Sequence, residues 1–362
     1  MAMGAHDAGI SNFDFLYING EKHNILGSVK YIKYPGFPLP LNYYNFIFRR
    51  YSLISRSVDL DKYKYIILRY SGGDATGVHF FSKFSVVSEH HSLELPEFRS
   101  RLQAKLPGYI RFLKKIRMNL EQKYGYEMLG LAKGIIGVTR EITNYEINRA
   151  ENIISSATVP NGIRVKQIPK TGFKKFNGRN LDLVCLANSF APWHGIERIM
   201  KSMALYKGQV RIKLHAIGNI NRMSFSPFYH NIDVQFHGYK AGHELDKLLA
   251  GMNLGIGTLS LYNKNMKEAC SLKTREYTAR GLPFFIAYMD PDLQQVDKNN
   301  RFFIEFENDQ SMIDMELIVQ FADQVSKNKE ISTYMRYYAQ KHMDWSAKMV
   351  KYSEFIEKVA NR

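Results

Sequence analysis

Short apolar runs alternate with longer amphipathic stretches along most of this chain. In the first half, the runs at 13–18, 29–33, 65–69, 84–88 and 134–139 read as strands, and helical periodicity fills 97–131 and 141–149. In the second half, strands are expected at 181–187, 210–217, 234–237, 254–259, 283–287 and 302–305. Helices fit between them at 195–206, 243–251 and 272–280, and two or three consecutive helices follow Ser311. Strand–helix alternation of this kind predicts parallel sheets covered by helices on both faces. The pattern breaks at Val159-Pro-Asn-Gly-Ile163, an Asn-Gly turn signal followed by a polar, basic stretch before the strand at Leu181. The expected fold class is therefore α/β, with two Rossmann-like, doubly wound domains facing a cleft. Their boundaries are placed at 1–165 and 166–340, with 341–362 as a terminal helix. Ligands of such sheets bind beyond the carboxyl ends of the strands.

Composition narrows the classes. The chain has 362 residues, 45% hydrophobic and 23% charged, which excludes a disordered, collagen-like or coiled-coil protein. Two cysteines, Cys185 and Cys270, exclude a disulfide framework and a cysteine-based zinc site. No run reaches the ~18 apolar residues of a spanning helix. The first residues lack the layout of a signal peptide. A cytoplasmic protein is expected, peripheral at most to a membrane.

The net charge of +16 is uneven. Residues 1–180 carry 27 basic and 14 acidic residues, whereas 181–362 carry 23 and 20. The densest part, Arg99 to Lys123, holds eight basic residues and one acid, Glu121. It admits three readings: a solvated helix face, an anionic lipid surface or nucleic acid phosphates. Apolar residues interleave with the cations, which suits a membrane interface, and the aromatic segment 34–50 has a similar character. No nucleic acid is expected, because no recognisable binding motif accompanies the charge.

The most informative segment is Glu268-Ala-Cys-Ser-Leu-Lys-Thr-Arg-Glu-Tyr-Thr-Ala-Arg-Gly-Leu-Pro-Phe284. Ser271 suits an N-cap, Gly281 a C-terminal cap, and Pro283 a stop. Lys273 and Arg275 then fall in the first helical turn, where the helix dipole disfavours cations. Either an acid neutralises them, with Glu268 and Glu276 at hand, or backbone N–H groups and both cations converge on a bound anion such as a diphosphate. In the first half, Ser88-Glu-His-His-Ser-Leu-Glu94 follows a strand and places His91 near a cleft edge. Ser71-Gly-Gly-Asp74, with Gly72 and Gly73, is a second cleft loop or a plain turn.

With Glu268 and Glu276 separated by seven residues, the segment resembles the Glu-x7-Glu motif of the retaining GT-B-fold glycosyltransferases of family four, of the bacterial polysaccharide-biosynthesis type. Other stretches share the resemblance: 135–142, the Pro-Asn-Gly hinge, Trp193-His-Gly195, His237-Gly-Tyr239, and Trp345 with the final helix, which in the family crosses back toward the N-domain. The resemblance implies that Glu268 contacts the donor sugar and Glu276 the ribose. It assigns the diphosphate and sugar to Ser271, Leu272 and Lys273, the nucleotide base to the loop with Gly238 and Tyr239, and a donor-sugar contact to His91. It implies no metal and no cofactor beyond the nucleotide diphosphate sugar. Two departures stand out. Ser189 and His194, aligned on Gly195, occupy positions where the family usually carries Arg and Lys, so Arg198, Lys273 or Arg275 would supply the charge. The family's first strand and its Gly-rich loop are absent or reduced to residues 1–12.

The expected activity is transfer of a sugar from a nucleotide diphosphate sugar to a saccharide or lipid-linked acceptor, with retention, in surface polysaccharide biosynthesis. An anionic membrane surface would be met through Arg99 to Lys123. The alternatives are a sugar-nucleotide epimerase of the same fold and a basic nucleic-acid-binding protein.

Overall fold

A computed structural model describes residues 1–18, 29–32, 48–103, 107–151, 155–219 and 232–361. The chain divides into two compact units: unit 1 comprises Met1–Pro160 and Trp345–Arg362, and unit 2 comprises Asn161–Asp344.

Unit 1 contains α1 (Ala2–Asp7), β1 (Phe15–Ile18), β2 (Val29–Ile32), α2 (Arg50–Ser57), β3 (Ile66–Arg69), α3 (Ala75–Lys83) and β4 (Val86–His90). It continues with α4 (Glu94–Gln103), α5 (Gly108–Leu131), β5 (Gly134–Gly137), α6 (Arg140–Ala150) and β6 (Ser155–Thr158), and ends with α12 (Trp345–Ala360). The sheet β3-β4-β5-β6 is parallel throughout, and β1 pairs with β2 in a separate parallel pair. Neighbouring residues of its strands point to opposite faces, so both faces need cover. Val86 and Ile135 join a core with Tyr51, Ile54, Phe80, Phe81, Met128 and Leu129. Val87 and Ile136 join another with Ala5, Met349, Tyr352 and Phe355. The final helix thus belongs to the core of unit 1.

Unit 2 contains β7 (Asn180–Ser189), α7 (Ile196–Leu205), β8 (Arg211–Asn219), β9 (Asp233–Gly238), α8 (Gly242–Ala250) and β10 (Leu254–Ile256). Then come α9 (Leu272–Arg280), β11 (Phe284–Ile286), β12 (Phe303–Glu305), α10 (Met315–Lys327) and α11 (Ile331–Tyr338). The parallel sheet runs β9-β8-β7-β10-β11-β12. Counted within the unit, that is the 3-2-1-4-5-6 order of a doubly wound sheet, with its switch point between β7 and β10. Alternate residues Leu181, Leu183 and Cys185 pack with Ile199, Met200, Ile318 and Phe321 of α7 and α10. On the other face the buried Tyr277 of α9 donates its hydroxyl to the carbonyls of Val184 (3.2 Å) and Ile256 (3.3 Å).

Several expectations need correction. The stretch 97–131 is two helices, α4 and α5, with Pro107 at the N-terminal boundary of α5. Proline has no N–H and disfavours helical backbone in the residue before it. β4 runs to His90, two residues beyond the expected end, so Glu89 and His90 are strand residues rather than loop. The polar Ser-Ser-Ala-Thr of β6 and the helices α1, α2 and α3 gave too weak a periodicity to be read as elements. The aromatic positions 34–47, together with Lys105, lie outside the described residues.

Candidate functional site

The doubly wound order of unit 2 directs attention to the loops after β7 and β10. Those loops are tied together. The backbone N–H groups of Leu259 and Ser260 donate to the carbonyls of His194 and Trp193, each at 3.2 Å. Gly195, at φ +73°, turns the first loop into α7, and a Cβ there would come within 2.7 Å of the Leu259 side chain. Any larger residue would both strain the backbone and separate the loops.

Lys273 projects from the first turn of α9 into this junction. Its ammonium donates to the Gly257 carbonyl at 3.0 Å and to His194 Nδ1 at 3.3 Å. The side chain is buried, and no carboxylate among the described residues pairs with it. Burial lowers its pKa from the ordinary lysine value and outweighs the opposing effect of Cys185. Ser271 occupies the N-cap position of α9, but its hydroxyl caps nothing. Its carbonyl instead accepts from Thr274 Oγ1 at 2.8 Å. The free N–H groups of the first turn, the positive end of the dipole and a buried cation therefore share one place. Leu272 is exposed beside them.

The two arginines expected to help do other work. Arg275 is fully buried and forked onto Asp290 (2.5 and 3.0 Å) and Asp292 (2.8 Å), with Nε donating to the Asn161 carbonyl at 3.0 Å. The acid that neutralises it comes from the loop after β11, not from Glu268 or Glu276. Arg198 spends its guanidinium on the carbonyls of Ser311 (2.7 Å), Leu259 (2.5 Å) and Glu307 (3.0 Å). Neither is a free anion ligand; both hold loops in place.

Glu276 lies one turn further along α9, half-buried, and accepts from Arg280 at 2.9 and 3.1 Å, while Arg280 also reaches Asp246 of α8 at 2.7 Å. Glu268 is half-buried in the loop before α9, where its backbone forms a bridge with Met289 beyond β11. Ser189 is the last residue of β7. Gly238 ends β9 at φ +67° with open space around it, followed by the exposed Tyr239.

In unit 1 the loop after β3 is consumed internally. Gly73 N–H donates to Glu121, Gly72 O accepts from Arg50, and Ser71 O accepts from Arg117. Asp74 caps α3 by accepting from Gly77 N–H at 2.8 Å. Gly72 and Gly73 thus belong to a structural turn. Beneath it lies a buried polar network in which Arg149 pairs with both Glu121 and Glu146. Burial, reinforced by the neighbouring carboxylates, pushes Glu94 and Glu146 up to about 8 against the pull of nearby arginines. His90, also fully buried, is held well below its ordinary value, chiefly by burial. His91, beyond the strand end, is partly exposed, and its Nε2 lies 3.2 Å from Glu89 Oε1. Among the described residues no group of three His, Cys, Asp or Glu side chains is arranged to hold a metal ion.

Known structures share this architecture. The fold is that of the GT-B glycosyltransferases. Sucrose-phosphate synthase from Thermosynechococcus elongatus superposes with a TM-score of 0.66 at 13% identity, covering 99% of this chain and 92% of that one. A glycosyltransferase from Rickettsia africae gives 0.63 at 10% identity, over 99% and 94%. Anabaena HepE, solved in complex with UDP and glucose, gives 0.56 at 12% identity, over 91% and 86%. No family profile matches the chain, and no curated protein matches its sequence.

The sequence reading missed Gly257 and the Asp290/Asp292 pair. The acids do stand in the sequence, flanking Pro291 just after an apolar run. It also missed Glu89, because the expected strand ended at Ser88 and left Glu89 in the loop.

Proposed function

We propose that this protein is a glycosyltransferase that moves a sugar from a nucleotide diphosphate sugar to a hydroxyl of a saccharide or lipid-linked acceptor, with retention at the anomeric carbon. The observation that carries this reading is Lys273, a buried cation without a carboxylate partner among the described residues, at the uncapped start of α9 and at the switch point of the sheet. A buried charge is costly unless something pairs with it. A diphosphate would supply that pairing and satisfy the helix N–H groups at once. As the glycosidic bond to the diphosphate lengthens, negative charge grows on the leaving oxygens, and Lys273 with the first turn of α9 stabilises it without reorganisation. His194, Gly195, Ser271 and Leu272 complete the surroundings of the diphosphate. Glu268 meets the sugar, Glu276 the ribose hydroxyls, and the loop at Gly238 and Tyr239 the base. His91 of unit 1 meets a sugar hydroxyl. The reading requires no metal and no further cofactor.

The setting we infer is surface polysaccharide assembly in the cytoplasm, with peripheral contact at the inner face of the membrane. Tyr109, Phe112 and Tyr126 of α5 are exposed beside exposed Arg111, Lys115 and Lys123. That mixture suits anionic headgroups. Arg117 is excluded from this face, because its guanidinium stacks on Phe98 at 4.7 Å.

Thermal melting with UDP and UDP-glucose tests the donor site, UDP being the nucleotide seen with Anabaena HepE. Ligand at about 100 times its Kd adds about 2.7 kcal/mol to stability. The expected result is stabilisation of the wild type that Lys273→Met abolishes and Glu276→Ala weakens. A flat response to all nucleoside diphosphates and their sugars would overturn the reading.

A further inference from the structure

We propose that Glu89 and Tyr352 are positioning residues that fix His91 with its proton on Nε2, so that neutral His91 presents Nδ1 as a hydrogen-bond acceptor for a sugar hydroxyl. The hydroxyl partner rests on the glycosyltransferase reading above; the fixed tautomer does not.

Two residues at the end of β4 and one from the far end of the sequence build the arrangement. Glu89 is the penultimate residue of β4, and its carboxylate is almost fully buried. A carboxylate can only accept, so His91 Nε2, 3.2 Å away, must be the N–H partner. Its other nitrogen then carries the lone pair whenever the ring is neutral. No described residue partners Nδ1, and the ring is 21% exposed, in contrast to the fully buried His90 beside it. The ring is thus tethered at one nitrogen and available at the other.

Tyr352 secures the tether. It lies on α12, is almost fully buried, and donates its hydroxyl to Glu89 Oε1. Burial alone would raise Glu89, but hydrogen bonds from His91 and Tyr352, together with the nearby charge of Arg69, outweigh it. Glu89 therefore stands below the ordinary carboxylate value and stays ionised at neutral pH. The charged and titratable groups around the dyad are Arg69 of β3, His90 of β4 and Tyr352 of α12. A sequence-local pair would have needed only the loop after β4. Here the last helix of the chain reaches back to hold the base of the imidazole.

Nitrogen-15 spectra of histidine-labelled full-length protein read the tautomer directly. In its neutral form, His91 should show a protonated Nε2 and an unprotonated Nδ1. Its signals are identified by their loss in His91→Gln. Glu89→Leu should collapse the two shifts toward an average, whereas Glu89→Gln, whose amide oxygen still accepts, should keep them apart. Tyr352→Phe should keep the tautomer but raise the acid titration midpoint of Glu89. With UDP-glucose as substrate, Glu89→Leu and Tyr352→Phe should lower kcat about tenfold, or about 1.4 kcal/mol of barrier, with KM unchanged. A wild-type His91 protonated on Nδ1, or a spectrum indifferent to Glu89→Leu, overturns the proposal. So does unchanged kcat in both variants of an enzyme that turns over. If UDP fails to bind and nothing turns over, the glycosyltransferase reading falls, and the spectra still decide the tautomer.

Discussion

Lys273 and Arg275 stand two positions apart on one helix and are treated in opposite ways. Arg275 is neutralised completely within the protein, whereas Lys273 is buried against a carbonyl and an imidazole. Arg275→Met should strand Asp290 and Asp292 without a counter-charge and cost about 3–5 kcal/mol, seen as a large fall in the urea midpoint. Lys273→Met removes an unpaired charge and should leave stability equal or higher while removing nucleotide binding. That contrast separates a structural cation from a functional one. A second residue-scale prediction concerns Glu94 and Glu146. Burial places both near 8 in the folded state, above the value of about 4.5 for an exposed carboxyl. The folded state therefore holds these protons more tightly than the unfolded state. Their contribution is complete below the unfolded value and is lost as pH rises through about 8. Urea midpoints should decline from about pH 5 up to about pH 8 and level off above it, and the double variant Glu94→Gln, Glu146→Gln should flatten that decline.

Helix α9 was the most legible element of the chain. Its span, its N-cap residue and the Gly281 cap at φ +78° could all be read from Ser271 through Pro283, because turn chemistry is local. The destination of its side chains was not legible. The partners of Arg275 lie 15 and 17 residues away beyond another strand, and the partner of Glu89 lies 263 residues away. Patterns of period 2 and 3.6 report which face is buried and say nothing of what meets it. The same limit applied to α5, where the run of cations was visible but the stacking of Arg117 inward was not. For this element the expected outcome is salt-sensitive flotation with vesicles containing phosphatidylglycerol. The Phe112→Ser variant should weaken it, and Lys115→Glu with Lys123→Glu should abolish it. Flotation indifferent to all three changes would remove the membrane partner and leave the donor site untouched.

At the scale of the whole molecule, unit 1 is closed by a helix that follows the entire sequence of unit 2. Phe355 of that helix is buried and packs over Gly134 of β5. Phe355→Ala should cost unit 1 about 3–5 kcal/mol, measured as a lower melting transition in calorimetry. Unit 2 is an uninterrupted stretch whose two ends are fastened to each other. Ile163 N–H donates to the Met343 carbonyl at 2.8 Å, and Val165 N–H donates to Asp344 at 2.9 Å. A chain leaving the ribosome can therefore complete unit 2 while unit 1 still lacks the helix that covers one face of its sheet. Until Trp345 to Ala360 emerge, Val87 and Ile136 have no Met349, Tyr352 or Phe355 to bury them. The half of the protein that is translated first is consequently the half that matures last. Its apolar sheet face needs protection for as long as the rest of the message takes to read.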